Sequence, residues 1–410
     1  MAGVNISNVG LTFTRYLDGV TETLNQASKA RRLVRQDDKW TGANIEWRVH
    51  SARNHALGYV EDGGAFPTPD KQDYQAAKAF RKFTVGSIQL TDGVMATAAK
   101  SKHVARDVIT SEVQGMMNNI LKFENGMFFK NGDGSVATFD DTGLASGVTD
   151  ISVDDARMLW DGATYQVYDS SLTTNRGNCT ISSVESAPNA SGKALVNFAA
   201  GSTVSGTTSG DLLVWNGSVN RAITGLKKLV DDTATTFQNI STTTYPRYTS
   251  LVLSNSGTNR ALTPTLFRQL LAGLMQKSGA DKPAGGLTCL TNSWQAINVE
   301  ELYEGELRLD PSSKVAGLAV ASFQTALGKV DLLLDTDATY NKMFFVDFSQ
   351  IYRAVQKRLG WRREGGSIFK RSDTAGVWTA TALEICELYI KERHTSGRLD
   401  DLSETPKTMY

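Results

Sequence analysis

The sequence has few of the residues on which most catalytic and metal sites depend. Its 410 residues include four histidines and three cysteines. Cys179, Cys289 and Cys386 are far apart and have no ligand-like spacing, which predicts buried thiols without a disulfide framework. No apolar run approaches the roughly 20 residues that a membrane helix needs, and the N-terminus lacks a signal-peptide pattern. These absences favour a protein without membrane contact that is made and used in a cytoplasm, or in something assembled there.

Motifs of the common enzyme classes are also missing. There is no G-x-S-x-G nucleophile elbow, no G-x-x-x-x-G-K-[ST] phosphate loop and no H-E-x-x-H metal pair. His50 and His55 are interpreted as exposed residues of a strand and a loop. Asp335 and Asp337 begin a calcium-loop pattern, but the glycine at its sixth position and the glutamate at its twelfth are absent. We therefore predict no catalytic residues, no metal site and no cofactor.

Net charge is zero, but the charges are unevenly placed. Residues 131–220 hold three basic and ten acidic residues, so the remaining chain carries a net charge of +7. This pattern indicates either ordinary solubility or a body that faces a polyanion while the acidic segment does not. A basic stretch over 353–371 contains Trp361 and Phe369, as in nucleic-acid-binding proteins. The favoured alternative is a domain-packing surface in which the arginine stems cover apolar groups.

The chain is organised around a predicted long helix over residues 92–125. Apolar residues recur there at steps of three and four, the period of one helix face: Val104, Val108, Val113, Met116, Met117, Ile120 and Leu121. Asp92 is the expected cap at its start, and Asn125-Gly126 is the expected stop. At about 1.5 Å per residue this helix is roughly 50 Å long.

Two extended arms precede this helix, over residues 45–91. Ile45, Trp47 and Val49 alternate with polar residues, which predicts one strand. A second run follows over 83–90, with a predicted bulge at Gly86-Ser87. Between the arms, residues 54–74 are rich in glycine and proline. A hairpin this long cannot bury both faces in its own domain, so we expect it to lie on a neighbouring copy of the chain.

The remaining segments are assigned more coarsely. Residues 149–220 contain short strand-like runs separated by turn residues, which predicts an inserted all-β barrel. Helices are predicted over 20–34, 260–277 and 293–303, the second with Thr263 and Pro264 as cap and first-turn residue and the third capped by Ser293. Strands are predicted over 287–290, 317–323, 330–334, 343–348 and 378–392. Residues 397–410 are expected to form a polar tail.

This order of elements resembles the major capsid proteins of tailed bacteriophages, which have the Hong Kong 97-type fold. The resemblance implies an α+β chain with an N-terminal arm, an extended β-hairpin loop, a long spine helix, and peripheral and axial domains, here with the inserted barrel. The implied domains are the arm (1–44), the extended loop (45–91), the spine and start of the peripheral domain (92–148), the β module (149–220), the peripheral domain (221–248), the axial domain (249–347) and the return with the tail (348–410).

The resemblance also implies function and partners. It implies a structural virion protein, not an enzyme, that is assembled in the host cytoplasm as hexamers and pentamers of an icosahedral head. The head encloses double-stranded DNA through non-specific contacts. A separate scaffolding protein and a portal are implied partners, and a decoration protein is left open. The residues expected at contacts between subunits are Trp47, Arg48, Phe66, Pro67, Arg81, Lys82 and Phe83.

Two alternatives stay open from the sequence. One is an encapsulin-like shell of a protein compartment, although such shells usually have a shorter chain without an insert. The other is a glycan-active enzyme that uses the β module to bind its substrate, which requires titratable groups that converge in a pocket.

Overall fold

The computed structural model describes residues 29–100, 104–141, 148–185, 193–278, 286–303, 322–325, 328–363, 367–371 and 376–404. The start of the predicted helix over 20–34 and most of the predicted strand over 317–323 lie outside these residues. The helices are α1 (Lys29–Leu33), α2 (Asp92–Lys100), α3 (Val104–Phe128), α4 (Leu226–Leu229), α5 (Pro264–Ser278) and α6 (Ser293–Tyr303). With the strands they form the expected α+β fold.

The strands fall into five sheets within the described part of the chain. They are β1 (Arg35–Asp37), β2 (Asn44–Ala52), β3 (Asp73–Phe80), β4 (Lys82–Thr91), β5 (Ser135–Thr138), β6 (Ile151–Val153), β7 (Thr164–Tyr168), β8 (Asn175–Val184), β9 (Ala194–Phe198), β10 (Leu212–Trp215), β11 (Thr236–Phe237), β12 (Ile240–Ser241), β13 (Leu251–Leu253), β14 (Leu287–Thr291), β15 (Ser322–Thr325), β16 (Gly328–Leu334), β17 (Met343–Asp347), β18 (Ile351–Trp361), β19 (Lys370–Arg371), β20 (Val377–Ile390) and β21 (Gly397–Leu399).

The 14-residue strand β20 organises the sheet that carries the long helix α3. β20 pairs antiparallel with β4, β18 and β19, and β1 pairs parallel with β18. We call these five strands the β20 sheet. Ile88 and Leu90 of β4 pack against Val113 and Met117 of α3, so the predicted apolar face is buried over residues 113–121. The long strand predicted over 378–392 is also confirmed.

The second predicted arm pairs differently from the expectation. Residues 83–90 lie in β4, which pairs with β20, whereas the partner of β2 in the hairpin is β3. The register between β4 and β20 has no shift, so the predicted bulge at Gly86-Ser87 is wrong. A Cβ atom on Gly86 would lie 2.7 Å from Cδ1 of Ile120. The glycine therefore leaves room for the Ile120 side chain where α3 crosses β4 and does not mark a bulge.

The helical segment begins at Asp92 as predicted, but its cap and its end differ from the expectation. Val94 N donates to the side chain of Thr91 at 3.4 Å, while the carboxylate of Asp92 accepts from Trp378 at 2.6 Å and from Arg371 at 2.7 Å. Asp92 thus ties the start of α2 to the β20 sheet instead of capping it. At the other end α3 runs past the predicted stop to Phe128. Packing of this turn on the β module overrides the local stop signal.

An antiparallel sheet of six strands contains most of the acidic segment. Its order is β5-β10-β7-β8-β9-β6, and an isolated bridge between Phe139 and Val153 links its two ends. The four predicted strand runs in this segment are confirmed as β7 to β10. The barrel description stays a prediction. Arg157 joins the module to the body, since it donates to Ala338 O at 3.0 Å and lies 4.0 Å from the Tyr340 ring centroid.

A mixed six-stranded sheet, the β17 sheet, has the order β13-β21-β17-β14-β16-β15 and is covered by α5. α5 begins at Pro264 rather than at Arg260, and Leu266 N donates to Thr263 Oγ1 at 3.4 Å, as predicted for the cap. α6 spans the predicted residues, but its cap is Asn292, whose Oδ1 accepts from Gln295 N at 2.9 Å.

The expectation of a polar tail from residue 397 is wrong. Residues 397–399 form the buried strand β21 between β13 and β17. Arg398 and the fully buried Arg393 donate to the carbonyl groups of Lys227, Lys228, Leu229 and Val230 at the end of α4. The charged residues that suggested a solvated tail instead satisfy the free carbonyls of a helix end. Residues 405–410 lie outside the described part.

Candidate assembly surface

The hairpin of β2 and β3 is anchored at its base on its own subunit. The Trp47 ring lies 4.7 Å from the ring of Tyr389 on β20. Lys78 N donates to Gln238 O at 2.8 Å, and Asn239 Nδ2 donates to Ala76 O at 3.2 Å. The base of the hairpin is therefore part of the folded body, and its orientation is fixed before any partner binds.

A polar clamp closes the hairpin where the two strands end. Asn54 Nδ2 donates to Asp70 O at 2.7 Å, and His55 N donates to the Asp70 carboxylate at 3.1 Å. Hydrogen bonds from the backbone of His55 and then of Lys71 lower the pKa of Asp70. The clamp holds residues 54 and 70 together and separates a distinct loop, residues 56–69, which we call the tip.

The tip exposes large apolar side chains. The exposed fractions are 84% for Leu57, 108% for Tyr59, 88% for Phe66 and 47% for Val60. A turn in which Gly64 N donates to Glu61 O at 2.9 Å gives the tip a defined shape. Scattered apolar residues on a surface are common, but four in one 14-residue loop indicate a surface that another protein covers.

The seven residues predicted at subunit contacts have different environments. Trp47 is half-buried against Tyr389, and Lys82 Nζ donates to Asn220 O at 2.7 Å, so both already have partners in their own chain. The exposed members of the set are Arg48, Phe66, Arg81 and Phe83, and Pro67 is half-buried. The structure places Phe66 and Pro67 in the tip and the others near the hairpin base or on β4. Their role between subunits stays a prediction.

The sequence reasoning missed Leu57, Tyr59 and Val60 as candidate contact residues. They have no strand or helix period, because they belong to an irregular loop. The available signal was composition: residues 56–69 contain several large apolar residues within a segment rich in glycine and proline. Such residues cannot form a core in a loop and therefore suggest a contact surface.

The basic stretch over 353–371 belongs mostly to packing within the chain. Arg353 is buried and forms an ion pair with Glu384, while Arg358 pairs with Asp38. The rings of Trp361 and Phe369 are 6% exposed and pack in the core beneath α3. Rings that are buried in this way cannot stack on nucleic-acid bases. These residues therefore fit the favoured alternative, a surface that packs against other parts of the same chain.

Four largely buried ionisable side chains connect three parts of the fold. Arg31 of α1 lies 2.5 Å from Glu124 of α3, and Glu384 of β20 contacts both Arg31 and Arg353. Burial, followed by the charge of Glu124, raises the pKa of Glu384 to about 8. Burial disfavours the charge of Glu124 as well, but the two guanidinium groups outweigh it and lower the pKa of Glu124 to about 2.

This cluster is structural rather than metal-binding. Ligand atoms of Glu124, Glu384 and Cys386 lie within 4.8 Å of one another. The positive charge at this position is supplied by Arg31 and Arg353, which would repel a cation. Burial also raises the pKa of the Cys386 thiol, and a neutral thiol is a poor ligand. The three cysteines are buried and free, as the sequence predicts.

A polar cleft of about 390 Å³ lies beside the hairpin base. Its lining includes Lys78, Lys82, Lys228, Asp133 and Glu387. Asp133 accepts hydrogen bonds from Ser135 N and Oγ at 2.9 and 2.6 Å. Glu387 accepts from Thr224 N at 2.8 Å. Both carboxylates thus accept hydrogen bonds that hold the backbone in place. They do not converge on a substrate position, which does not favour the glycan-active alternative.

Membrane insertion finds no support in the helices. Within the described residues, no helix is both long enough and apolar enough to cross a bilayer.

Comparison with known proteins identifies the architecture. The structure is similar to the capsid asymmetric unit of Cyanophage A-1(L), with a TM-score of 0.55, 12% sequence identity, and coverage of 94% of this chain and 93% of that chain. This chain has the Hong Kong 97-type capsid fold. The sequence model of the SU10 major capsid protein family matches residues 199–373. Together these matches confirm the resemblance to tailed-phage major capsid proteins and support a structural capsid role.

More distant capsid structures also align with this capsid fold. The capsid of the native GTA particle matches with a TM-score of 0.48 and 9% identity, covering 91% of this chain and 89% of that chain. The encapsulin complex of Synechococcus elongatus matches with a TM-score of 0.42 and 10% identity, covering 93% and 89%. No curated protein matches the sequence.

Proposed function

We propose that this chain is the major capsid protein that tiles the icosahedral head of a tailed phage around double-stranded DNA. The observation that carries the proposal is the tip: a capsid fold presents an apolar loop, held in shape by a clamp, that its own subunit leaves uncovered. Each contact between a tip and a neighbouring subunit contributes only a modest stabilising free energy. A closed shell repeats each of them with the same geometry, which makes the assembled state stable.

The finer features of the proposal follow the predicted domain plan. The subunits form hexamers and pentamers, and residues 45–80 of one subunit lie over its neighbour. Trp47 supports this arrangement from its own subunit, while Arg48, Phe66, Pro67, Arg81 and Phe83 form contacts between subunits. Lys82 fixes the base through its bond to Asn220. Assembly takes place in the host cytoplasm.

The proposed external partners follow from the capsid role and from charge. A scaffolding protein directs assembly, a portal occupies one vertex, and a decoration protein can bind outside. The net charge of +7 outside the acidic segment supports non-specific contact of the body with packaged DNA. The acidic module then faces away from the DNA. The encapsulin-like alternative is not favoured, because the matched family is that of a phage capsid protein.

Excision of the tip tests the proposal. Because the clamp holds residues 54 and 70 together, residues 57–68 can be replaced by a short Gly-Ser turn without separating β2 from β3. We expect soluble, folded subunits with unchanged circular dichroism that form no shells under conditions in which the unaltered chain assembles. A matched control replaces only Glu185, in a loop of the module, by Gln and should assemble. Shells of normal size from the excised variant, seen by negative-stain microscopy, contradict the proposal.

A further inference from the structure

The buried charge cluster contains two carboxyl groups that lie close together. Glu124 of α3 and Glu384 of β20 are both 2% exposed, and ligand atoms of the two lie within 4.8 Å of each other. Within the described residues, both Glu124 oxygens and Glu384 Oε2 lack a hydrogen-bond donor of regular geometry. A proton on Glu384 supplies a donor, because a carboxylic acid can bond to a neighbouring carboxylate, whereas two carboxylates repel each other.

Two guanidinium groups contact both members of the carboxyl pair. Arg31 of α1 lies 2.5 Å from Glu124 and 3.6 Å from Glu384. Arg353 of β18 lies 3.9 Å from Glu124 and forms its closer ion pair with Glu384. With one proton on the pair, the cluster therefore holds two positive charges and one negative charge.

The other groups that face the pair are neutral. The hydroxyl of Thr84 on β4 bonds to Glu124. The Cys386 thiol on β20 stays protonated, because burial raises its pKa. The protonation state of the cluster is therefore set by the carboxyl pair and the two arginines alone.

The helix α1 closes the cluster from one side. Ala30 and Val34 of α1 are 0% and 5% exposed and pack in the core that contains Phe128 of α3. Arg31, between them, has a side chain that is 14% exposed and lies over the pair. A helix of five residues is too short to be stable by itself in water, so α1 depends on this docking.

We propose that α1 docks on the cluster together with one proton shared by Glu124 and Glu384, so that alkaline pH releases α1. Lifting α1 admits water to the two carboxyl groups and removes Arg31 from them. This device belongs to the single subunit and goes beyond the proposed function. It couples the position of the N-terminal segment to pH.

The direction of the pH dependence follows from burial. Burial is the largest of the causes that raise the pKa of Glu384 to about 8, ahead of the charge of Glu124 and of the opposing attraction of the arginines. Water that enters when α1 lifts removes much of this cause, so the undocked state has the lower pKa. Docking is therefore strongest below the pKa of the undocked state and weakens as the pH rises through 8.

Hydrogen exchange of the backbone amides in residues 29–34 tests the proposal. Exchange is followed by mass spectrometry at pH 7 and pH 9 and corrected for the intrinsic rate at each pH. For one proton with a pKa of about 8, we expect the open fraction of α1 to rise about tenfold between the two values. An open fraction that stays constant, or falls, in the unaltered chain overturns the proposal.

Two isosteric variants separate the shared proton from general effects of pH. Glu384→Gln keeps an N–H donor beside Glu124 at every pH, so its open fraction should be the same at pH 7 and pH 9. The matched control is Glu387→Gln, a buried carboxyl of β20 that bonds to Thr224 and Leu388, and it should keep the tenfold change. A tenfold change that persists in Glu384→Gln, or disappears in Glu387→Gln, overturns the proposal.

The measurement does not depend on shell formation, because it is made on unassembled subunits. If Glu384→Gln does not fold, as judged by circular dichroism, the comparison of the unaltered chain at the two pH values decides. Failure of this proposal leaves the proposed capsid function untouched, and failure of the chain to assemble leaves this proposal untouched.

Discussion

Buried carboxyl groups give this capsid fold a dependence on pH that single residues can test. Glu387 is 3% exposed and accepts hydrogen bonds from Thr224 N and Leu388 N, both at 2.8 Å. Burial raises its pKa from 4.5 to about 7. Because the folded state then binds the proton more tightly than the unfolded state, this group lowers stability as the pH rises from 4.5 through 7. The shift corresponds to about 3 kcal/mol above pH 7.

The substitution Glu387→Gln should remove this penalty. Glutamine keeps the carbonyl oxygen that accepts both backbone bonds, but it has no proton to lose. We expect the variant to exceed the unaltered chain in free energy of unfolding by about 1 kcal/mol at pH 5 and by about 3 kcal/mol at pH 8.5. Urea denaturation at both pH values measures the difference. Glu61→Gln, at an exposed position, is the control and should show none. A difference that is the same at both pH values contradicts the pKa assignment.

Arg31 is the member of the buried charge cluster that anchors the N-terminal segment. Its substitution by Met leaves Glu124 buried without its nearest cation, 2.5 Å away. Removal of one partner of a buried ion pair typically costs about 3 kcal/mol. We expect Arg31→Met to lower the free energy of unfolding by about that amount, measured by urea denaturation near pH 7. Arg32→Met, at the next and exposed position of α1, should change it by less than about 0.5 kcal/mol. If both substitutions lower the free energy of unfolding equally, the buried charge cluster adds nothing to stability.

At the scale of elements, two glycines of α3 provide a matched pair. A Cβ atom on Gly126 would clash with the Met158 thioether, whereas a Cβ atom on Gly115 meets nothing within 4 Å. We expect Gly126→Ala to destabilise the chain by about 1–3 kcal/mol through overpacking, and Gly115→Ala to stabilise it by about 0.5–1 kcal/mol through helix propensity. Thermal unfolding of both variants measures this. A lower melting temperature for Gly126→Ala with a higher one for Gly115→Ala supports close packing of α3 on the β module. Higher melting temperatures for both variants contradict it.

The elements also show how far local patterns predict structure. The helix period identified the buried face of α3, and alternation identified β2 and β20, because both reflect burial on one side. The pairing of β4 was predicted wrongly, since its partner β20 lies about 300 residues away and a single strand does not encode its partner. The helix start at Asp92 was predicted correctly. The capping role of Asp92 and the stop at Gly126 were predicted wrongly, because contacts with Trp378 and Met158 outweigh the local signals.

The candidate contact surface was predicted only in part, for a similar reason. Phe66 and Pro67 were identified through the glycine- and proline-rich loop that contains them. Leu57 and Tyr59 were not identified, because an irregular loop has no period.

The buried strand over 397–399 was missed because Arg398 and Asp400 suggest solvent, although they pair with each other at 2.7 Å inside the fold. Patterns in sequence predict burial by apolar residues better than burial of paired charges.

At the scale of the whole molecule, the described residues form a folded body with a hairpin whose apolar tip the chain leaves uncovered. The body has separate cores in the β module, beneath α3 and beneath α5. The hairpin is fixed at its base, closed by a clamp and apolar at its tip. In the proposed assembly, this combination lets a subunit fold by itself and still carry a specific contact. In the proposed capsid, the exposed tip of each subunit is the surface that an adjacent subunit covers.

A cryo-electron microscopy map of assembled particles of the unaltered chain tests this account most directly. The measurement is the position of residues 56–69 relative to the subunit to which they belong. We predict shells in which each tip lies on an adjacent copy, with Tyr59 and Phe66 covered by that copy. Tips folded onto their own subunit, or a chain that stays monomeric at high concentration under assembly conditions, would contradict the account.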